Sequence, residues 1–374
     1  MKVDFFKHNL SSVERDAVGN VLKSTMISTG PITNQFESLF SNYFNVGNCV
    51  GVTNWTTGAL MLLKTMGISD GDEVITSPLS FIATSNAIIH SGAIPVFVDV
   101  EPDTGNIDVN KIENAITSKT KGIMPVHLYG QMCDMKKINQ IAKKHNLFII
   151  EDCAHAIESV RDDVKPGQLS TAALFSFYAT KNITCGEGGA IISNDKDLIH
   201  KLRRNRLHGM STNAFKRFSS RYKHWDMVDL GYKCNMNDIQ ASLLIPQLNN
   251  ITSFLKKRQK ISKAYDNNIN FNIISKPKKL KNSKHALHLY TIWVQPEKRD
   301  SIIEQLQDQN IGITVNYRSI HNLDYYKKTF NYRPNNFPNA DQIGNSTISL
   351  PFYPKLKQNE VDYVINSLNQ IIGN

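Results

Sequence analysis

The run Leu147-Phe148-Ile149-Ile150, closed abruptly by Glu151-Asp152, narrows the fold of this chain more than any other segment. A short, continuous apolar run with carboxylates at its end reads as a strand buried on both faces, with its acidic tip in a crevice. Such strands belong to parallel sheets covered by helices. The flanking sequence supplies the other members. Apolar strands at 49–52, 72–76, 94–100 and 122–127 alternate with helical patterns at 59–63, 84–91, 108–117 and 134–145. This alternation predicts an α/β fold with a mainly parallel sheet. Right-handed crossovers then put the ligand crevice at the carboxyl ends of the strands, where Asp152 lies.

The second informative stretch is Ser176-Phe177-Tyr178-Ala179-Thr180-Lys181, followed by Asn182-Ile183-Thr184-Cys185 and the glycine cluster Gly186-Glu187-Gly188-Gly189. A carboxylate at a strand tip, a lysine farther on and phosphate-sized glycine turns suggest a site for pyridoxal 5'-phosphate (PLP). That cofactor needs a lysine for its Schiff base and an acid to keep its ring nitrogen protonated.

Together the two segments resemble the DegT/DnrJ/EryC1/StrS family of PLP-dependent nucleotide-sugar aminotransferases, of fold type I. Its pattern, roughly E-D-x-A-[QH] and then S-F-x-x-x-K-x-x-x-x-G-E-G-G, is matched without a gap. The resemblance runs over essentially the whole chain, with Ser349-Leu350-Pro351-Phe352-Tyr353-Pro354-Lys355-Leu356 close to a further family motif near the C-terminus. It implies a large PLP-binding α/β domain over 1–250, with a seven-stranded, mainly parallel sheet flanked by helices. A smaller C-terminal α+β domain would cover 251–374.

The resemblance also implies roles. Lys181 and Asp152 would be catalytic, binding the cofactor's aldehyde carbon and its ring nitrogen. The Thr53–Gly58 turn opens a helix, and helix N-termini favour phosphate. By resemblance the Trp55, Thr56 and Thr57 backbone and Ser176 would hold the phosphate. Trp55 departs from the family's usual small residue. Phe81 would stack on the ring, and His155 would meet its phenolic oxygen. The segment Gly231-Tyr232-Lys233-Cys234-Asn235-Met236 matches a family loop that reaches the neighbouring subunit, so Lys233 and Asn235 would contact phosphate or substrate across a homodimer with shared active sites. Tyr317 and His321 lie in a looser match and are substrate candidates. The turn Ser28-Thr29-Gly30-Pro31 lies near the active site in relatives. Thr33 is expected to cap the helix after it, with Glu37 in that helix's first turns.

The expected reaction moves an amino group from glutamate to a nucleoside-diphosphate-linked keto sugar, such as a 4-keto-6-deoxy hexose, for surface polysaccharide such as O-antigen. Three other readings stay open. A non-catalytic PLP-binding sensor would need no proton-shuttling lysine. A PLP-dependent sugar dehydratase carries His where Lys181 stands. An amino-acid aminotransferase needs an arginine clamp, for which Arg299, Arg318 and Arg333 are available.

Composition sets outer bounds. The net charge is +10 over 374 residues, but the lysines are dispersed and no nucleic-acid-binding motif accompanies them. No apolar run nears the roughly 20 residues of a membrane span, and the N-terminus lacks a signal-peptide core. A cytoplasmic protein is expected. Five scattered cysteines form no metal-like pair and read as reduced thiols. Residues 196–230 read as a polar, basic loop with a helical start. A helix spans 238–266, starting after the cap Asn237. His127 is a structural histidine without a site role.

Overall fold

In a computed structural model, described here for residues 1–211, 224–333 and 335–373, the centre is a seven-stranded sheet. Its strands are β1 (Asn48–Val52), β2 (Glu73–Thr76), β3 (Ile94–Phe97), β4 (Thr120–Met124), β5 (Phe148–Asp152), β6 (Ala172–Ser176) and β7 (Gly189–Ser193). The spatial order is β1-β7-β6-β5-β4-β2-β3. Only β7 runs antiparallel to its neighbours; the pairs β5/β6, β4/β5, β2/β4 and β2/β3 are parallel. β5 has an intermediate first residue and four buried ones, as its unbroken apolar run requires.

The sheet is sandwiched between helices. On one face Phe36, Phe40 and Phe44 of the Pro31–Phe44 helix pack with Phe175 and Phe177. On the other, the Trp55–Thr65 helix buries Ala59, Leu62 and Leu63 against Val52, Leu174 and Ile191. The Phe40 ring meets Phe175 and Phe177 edge-on at 5.0 and 5.5 Å, a favoured aromatic geometry.

The C-terminal third has its own core. Helices Ile251–Asn268, Pro296–Asp308 and Gln358–Gly373 surround an antiparallel pair, Tyr290–Trp293 with Thr347–Leu350. Leu255, Tyr265, Ile292, Leu306, Ile348 and Leu368 lie in that core, joined by Val3 from the N-terminus. Val3 bridges to Ile311. The division into 1–250 and 251–374 stands as a proposal; with it goes the N-terminal segment, which packs on the second part.

Several local expectations are corrected. The helix expected over 108–117 is two 3-10 turns, Val109–Lys111 and Glu113–Ala115. Asn110, Ile112, Asn114 and Ile116 are indifferent helix formers, and Ile116 is already extended. The helix over 238–266 is two helices, Asp238–Asn249 and Ile251–Asn268. They meet at Asn250, whose side-chain amide donates back to Pro246 O at 3.0 Å. Asn237 does cap the first of them, in a capping box with Gln240. Thr33 is not a cap, because its helix starts at Pro31. The carboxylate of Asp238, more than 200 residues farther along the chain, caps that helix, accepting from Gly30 N (2.9 Å), Thr33 N (2.8 Å) and Thr33 Oγ1 (2.6 Å). Glu37 lies within that helix's first two turns as expected, but as a core residue. It is buried, pairs with Arg206 and accepts from Gly51 N. Within 196–230 the helix Lys196–Asn205 forms, Arg206 is buried rather than part of a polar loop, and residues 212–223 lie outside the described residues.

Candidate active site

The parallel strands end on one edge of the sheet, and the site is built there. β5 delivers Asp152. β6 delivers Ser176, and the chain then makes the turn that carries Lys181 before returning as β7. Hydrogen bonds close this turn: Phe177 N to Gly188 O (2.8 Å), Cys185 N to Phe177 O (3.1 Å) and Lys181 N to Tyr178 O (2.9 Å). Gln247 clamps it from outside, accepting from Thr184 N and donating to Thr184 O. Gly186 takes φ +84°, and a Cβ on Gly188 would meet Cys185 Sγ at 2.4 Å. The glycines therefore shape the lysine turn. They do not line the cavity, which corrects their reading as a phosphate cradle.

The cavity has a volume of about 850 Å³. Its floor holds Asp152, Lys181 and His155. Trp55, Thr56, Thr57 and Ser176 form one end. Phe81, Tyr317, Phe5, Phe6, Leu350 and Phe352 complete the lining.

Asp152 is buried, with Oδ2 accepting from Thr84 Oγ1 (2.7 Å) and Oδ1 from Ala154 N (3.1 Å). Burial raises its carboxyl above the ordinary value, while the Thr84 and Ala154 bonds and the Lys181 charge pull the other way. Lys181 is open to the cavity but enclosed by protein, and that desolvation lowers its ammonium to about 8, against the pull of Asp152. Burial, reinforced by the Lys181 charge and by His288, holds His155 well below the usual imidazole value, so it is neutral. Tyr129 N donates to His155 Nδ1 (3.3 Å), which leaves the ring proton on Nε2, 3.1 Å from Tyr317 OH.

Nine of the expected residues line one cavity: Trp55, Thr56, Thr57, Phe81, Asp152, His155, Ser176, Lys181 and Tyr317. Some details differ from expectation. Thr57 N is already committed to Asn54 Oδ1 (2.9 Å), so Trp55 and Thr56 supply the open N–H groups of that helix start. Phe81 is 56% exposed and tilted 45° to the Tyr317 ring, 5.9 Å away.

Three expected residues do not line it. Lys233 is exposed elsewhere. Asn235 is buried and donates to Thr29 Oγ1 (2.6 Å), so the Thr29-Gly30-Pro31 turn braces Asn235 instead of reaching this chain's own cavity. His321 is buried beside Asp341 (2.9 Å) and packs on Phe337. The three possible arginine clamps, Arg299, Arg318 and Arg333, are absent from the lining.

The sequence reading missed Phe5, Phe6, Thr84, Glu187 and His288, all in the cavity wall. Only Glu187 sat in a motif already singled out. His127 is structural as expected, buried and 2.7 Å from Glu151.

These groups fit PLP. A lysine whose ammonium is lowered to about 8, a buried carboxylate for a ring cation, and N–H and hydroxyl groups at a helix start form one connected set. Comparison with known proteins agrees. The DegT/DnrJ/EryC1/StrS aminotransferase family matches residues 9–369. The uncharacterized protein MJ1066 of Methanocaldococcus jannaschii is 41% identical, covering 98% of this chain and 97% of the relative. Spore coat polysaccharide biosynthesis protein SpsC of Bacillus subtilis is 39% identical, with the same coverage. In structure, Helicobacter pylori PseC, an aminotransferase involved in the biosynthesis of pseudoaminic acid, is 29% identical with a TM-score of 0.92, covering 100% of both chains.

Proposed function

The chain belongs to the DegT/DnrJ/EryC1/StrS family of PLP-dependent sugar aminotransferases, and from that premise we propose that its acceptor is a keto sugar carried on a nucleoside diphosphate. The amino donor is glutamate and the product serves a surface polysaccharide. Bound PLP supplies the electron sink of the reaction. Lys181 Nζ would hold the cofactor, and its amine is the group placed to move a proton between the substrate carbon and the cofactor. Asp152 keeps the ring nitrogen protonated. His155 presents Nε2–H towards the phenolic oxygen, and Trp55 N, Thr56 N, the Thr57 hydroxyl and Ser176 hold the phosphate.

The observation that carries the substrate reading is the size of the cavity. At about 850 Å³ it stands high in the roughly 300–1,000 Å³ range of small-molecule sites, with room beyond the Lys181–Asp152 floor for more than a small keto acid. The test uses protein first converted to its amino form with glutamate. Offered a panel of keto nucleotide sugars and plain keto acids, it should regain its visible band with a nucleotide sugar at micromolar concentration. Efficient return only with free keto acids, apart from 2-oxoglutarate reversing the first half-reaction, overturns the reading. The sugar that works, a 4-keto-6-deoxy hexose being the first choice, also identifies the pathway.

We further propose a homodimer with shared sites. Lys233 is exposed and does not line its own cavity, and the exposed Trp225, Met227, Val228 and Leu230 lie just before it. A second copy would cover these apolar residues and receive Lys233 as a cation for substrate carboxylate or phosphate, while Asn235, buried against Thr29, would fix the loop that carries it. Mixing Lys181→Ala and Lys233→Ala chains should restore activity that neither variant has alone. A fully active monomer by light scattering excludes the arrangement.

A further inference from the structure

Behind Lys181 lies a second layer of polar groups that the reaction scheme does not use. The residue after the lysine, Asn182, donates from Nδ2 to Glu158 Oε2 (2.6 Å) and to Ala286 O (3.2 Å). Both partners are pure acceptors, so the orientation of the amide is determined: Nδ2 faces them and Oδ1 faces the other way. Oδ1 lies 2.9 Å from His288 Nδ1. An amide oxygen only accepts, so Nδ1 of His288 carries the ring proton. Glu158 is held in turn by Arg258, fully buried, in an ion pair that also reaches Ala286 O.

The other side of His288 touches the site. Its ring lies on the His155 ring, with centroids 4.2 Å apart and planes 31° apart. The backbone is fixed too, His288 N donating to Tyr129 O at 3.1 Å, while Tyr129 N donates to His155 Nδ1. The two stacked imidazoles therefore hold opposite tautomers, Nδ1–H in His288 and Nε2–H in His155. Both are kept neutral, chiefly by burial and next by Lys181. The charged groups around the pair are Lys181 and Asp152 on the cavity side and the Glu158–Arg258 pair behind Asn182.

We propose that His288 is a positioning residue of the cofactor site: it ties Asn182, the lysine's neighbour, to the His155 ring, so that the lysine and the His155 Nε2–H are held in one register. The inference rests on the reading that Lys181 carries the cofactor and His155 meets its phenolic oxygen. That oxygen also stabilises a proton on the lysine-linked nitrogen. A well-placed His155 donor competes for it, and a loosened one competes less. Loss of the tie should therefore raise the pH midpoint at which the visible band of the lysine-bound cofactor changes.

The test is a spectroscopic pH titration of the PLP-loaded protein. His288→Phe keeps a stacked ring and loses the Nδ1–H donor. Its midpoint should rise by about one unit, a shift of ordinary size for a perturbed group. Asn182→Ala, cutting the same tie from the lysine side, should shift it in the same direction. The double variant should move no further than the larger single shift, because both remove one interaction. His288→Asn, which restores a donor near the Nδ1 position, should return the midpoint at least half-way. Unchanged midpoints in the two single variants, or shifts that add, overturn the inference. If His288→Phe does not yield folded protein, Asn182→Ala decides by the same readout. Failure of the underlying reading looks different: the wild-type protein would then show no visible band that Lys181→Ala removes.

Discussion

Lys181→Ala protein mixed with PLP shows no visible band of lysine-bound cofactor and transaminates at least about 10²–10⁴-fold more slowly than wild type, the usual loss when a positioned proton carrier is removed. The wild-type band forms at a rate that depends on pH in a defined sense. Enclosure lowers the Lys181 ammonium to about 8, and only the neutral amine attacks the cofactor's aldehyde. Capture by the apo-protein should rise as the pH passes through that value and level off above it. Without this enclosure the midpoint would lie near an ordinary lysine, more than two units higher. Stopped-flow absorbance on apo-protein measures the profile. A variant that keeps the wild-type spectrum removes Lys181 from the chemistry.

Asp152→Asn should retain PLP but lose about a hundredfold or more of the transamination rate, comparable to deleting one preorganised electrostatic partner. Burial disfavours the charged carboxylate, and two hydrogen bonds, from Thr84 and Ala154, hold it in place. A carboxylate so enclosed gains most by facing a cation. The amide has almost the same shape but no charge, so phosphate and ring contacts should survive while the protonated ring nitrogen does not. Single-turnover kinetics of the glutamate half-reaction measure the loss directly. Activity within a few-fold of wild type would exclude the role.

The sheet was legible in the sequence because its signal is local. Leu147-Phe148-Ile149-Ile150 could be little other than a strand covered on both sides, and its carboxylate end fixed which edge held the site. The lysine turn was legible through its motif, although the motif misled about the glycines: Gly188 packs against Cys185 and Phe177, Gly189 against Asn54, Phe175 and Val52, and none of them lines the cavity. Thr33, Glu37 and Arg206 were misread for a different reason. Their partners, Asp238 for the first and each other for the latter two, lie more than 160 residues away along the chain, and no periodicity or cap pattern carries that information. His288 and Phe5 entered the site in the same long-range way, carried by the packing of the N-terminal segment and the C-terminal third across the cavity mouth.

The Pro31–Phe44 helix makes one more thing possible. Arg206 is bound to it through Glu37, and Asp238 is bound to it through Gly30 and Thr33. Just inside these anchors the chain still belongs to the globule, since Leu207 bridges to Lys233 and Cys234 and Met236 are buried in the core. What can be exchanged is the insert inside the Leu207–Lys233 bridge, residues 208–232. Doubling the length of such an insert adds only about 0.6 kcal/mol of closure cost, and neither anchor touches Asp152 or Lys181. On the proposed reading, exchange of this stretch between relatives should change which sugar nucleotide is accepted, while the floor that handles the amino group stays the same. A graft cut inside the Leu207–Lys233 bridge, scored by which keto sugar restores the visible band, measures it.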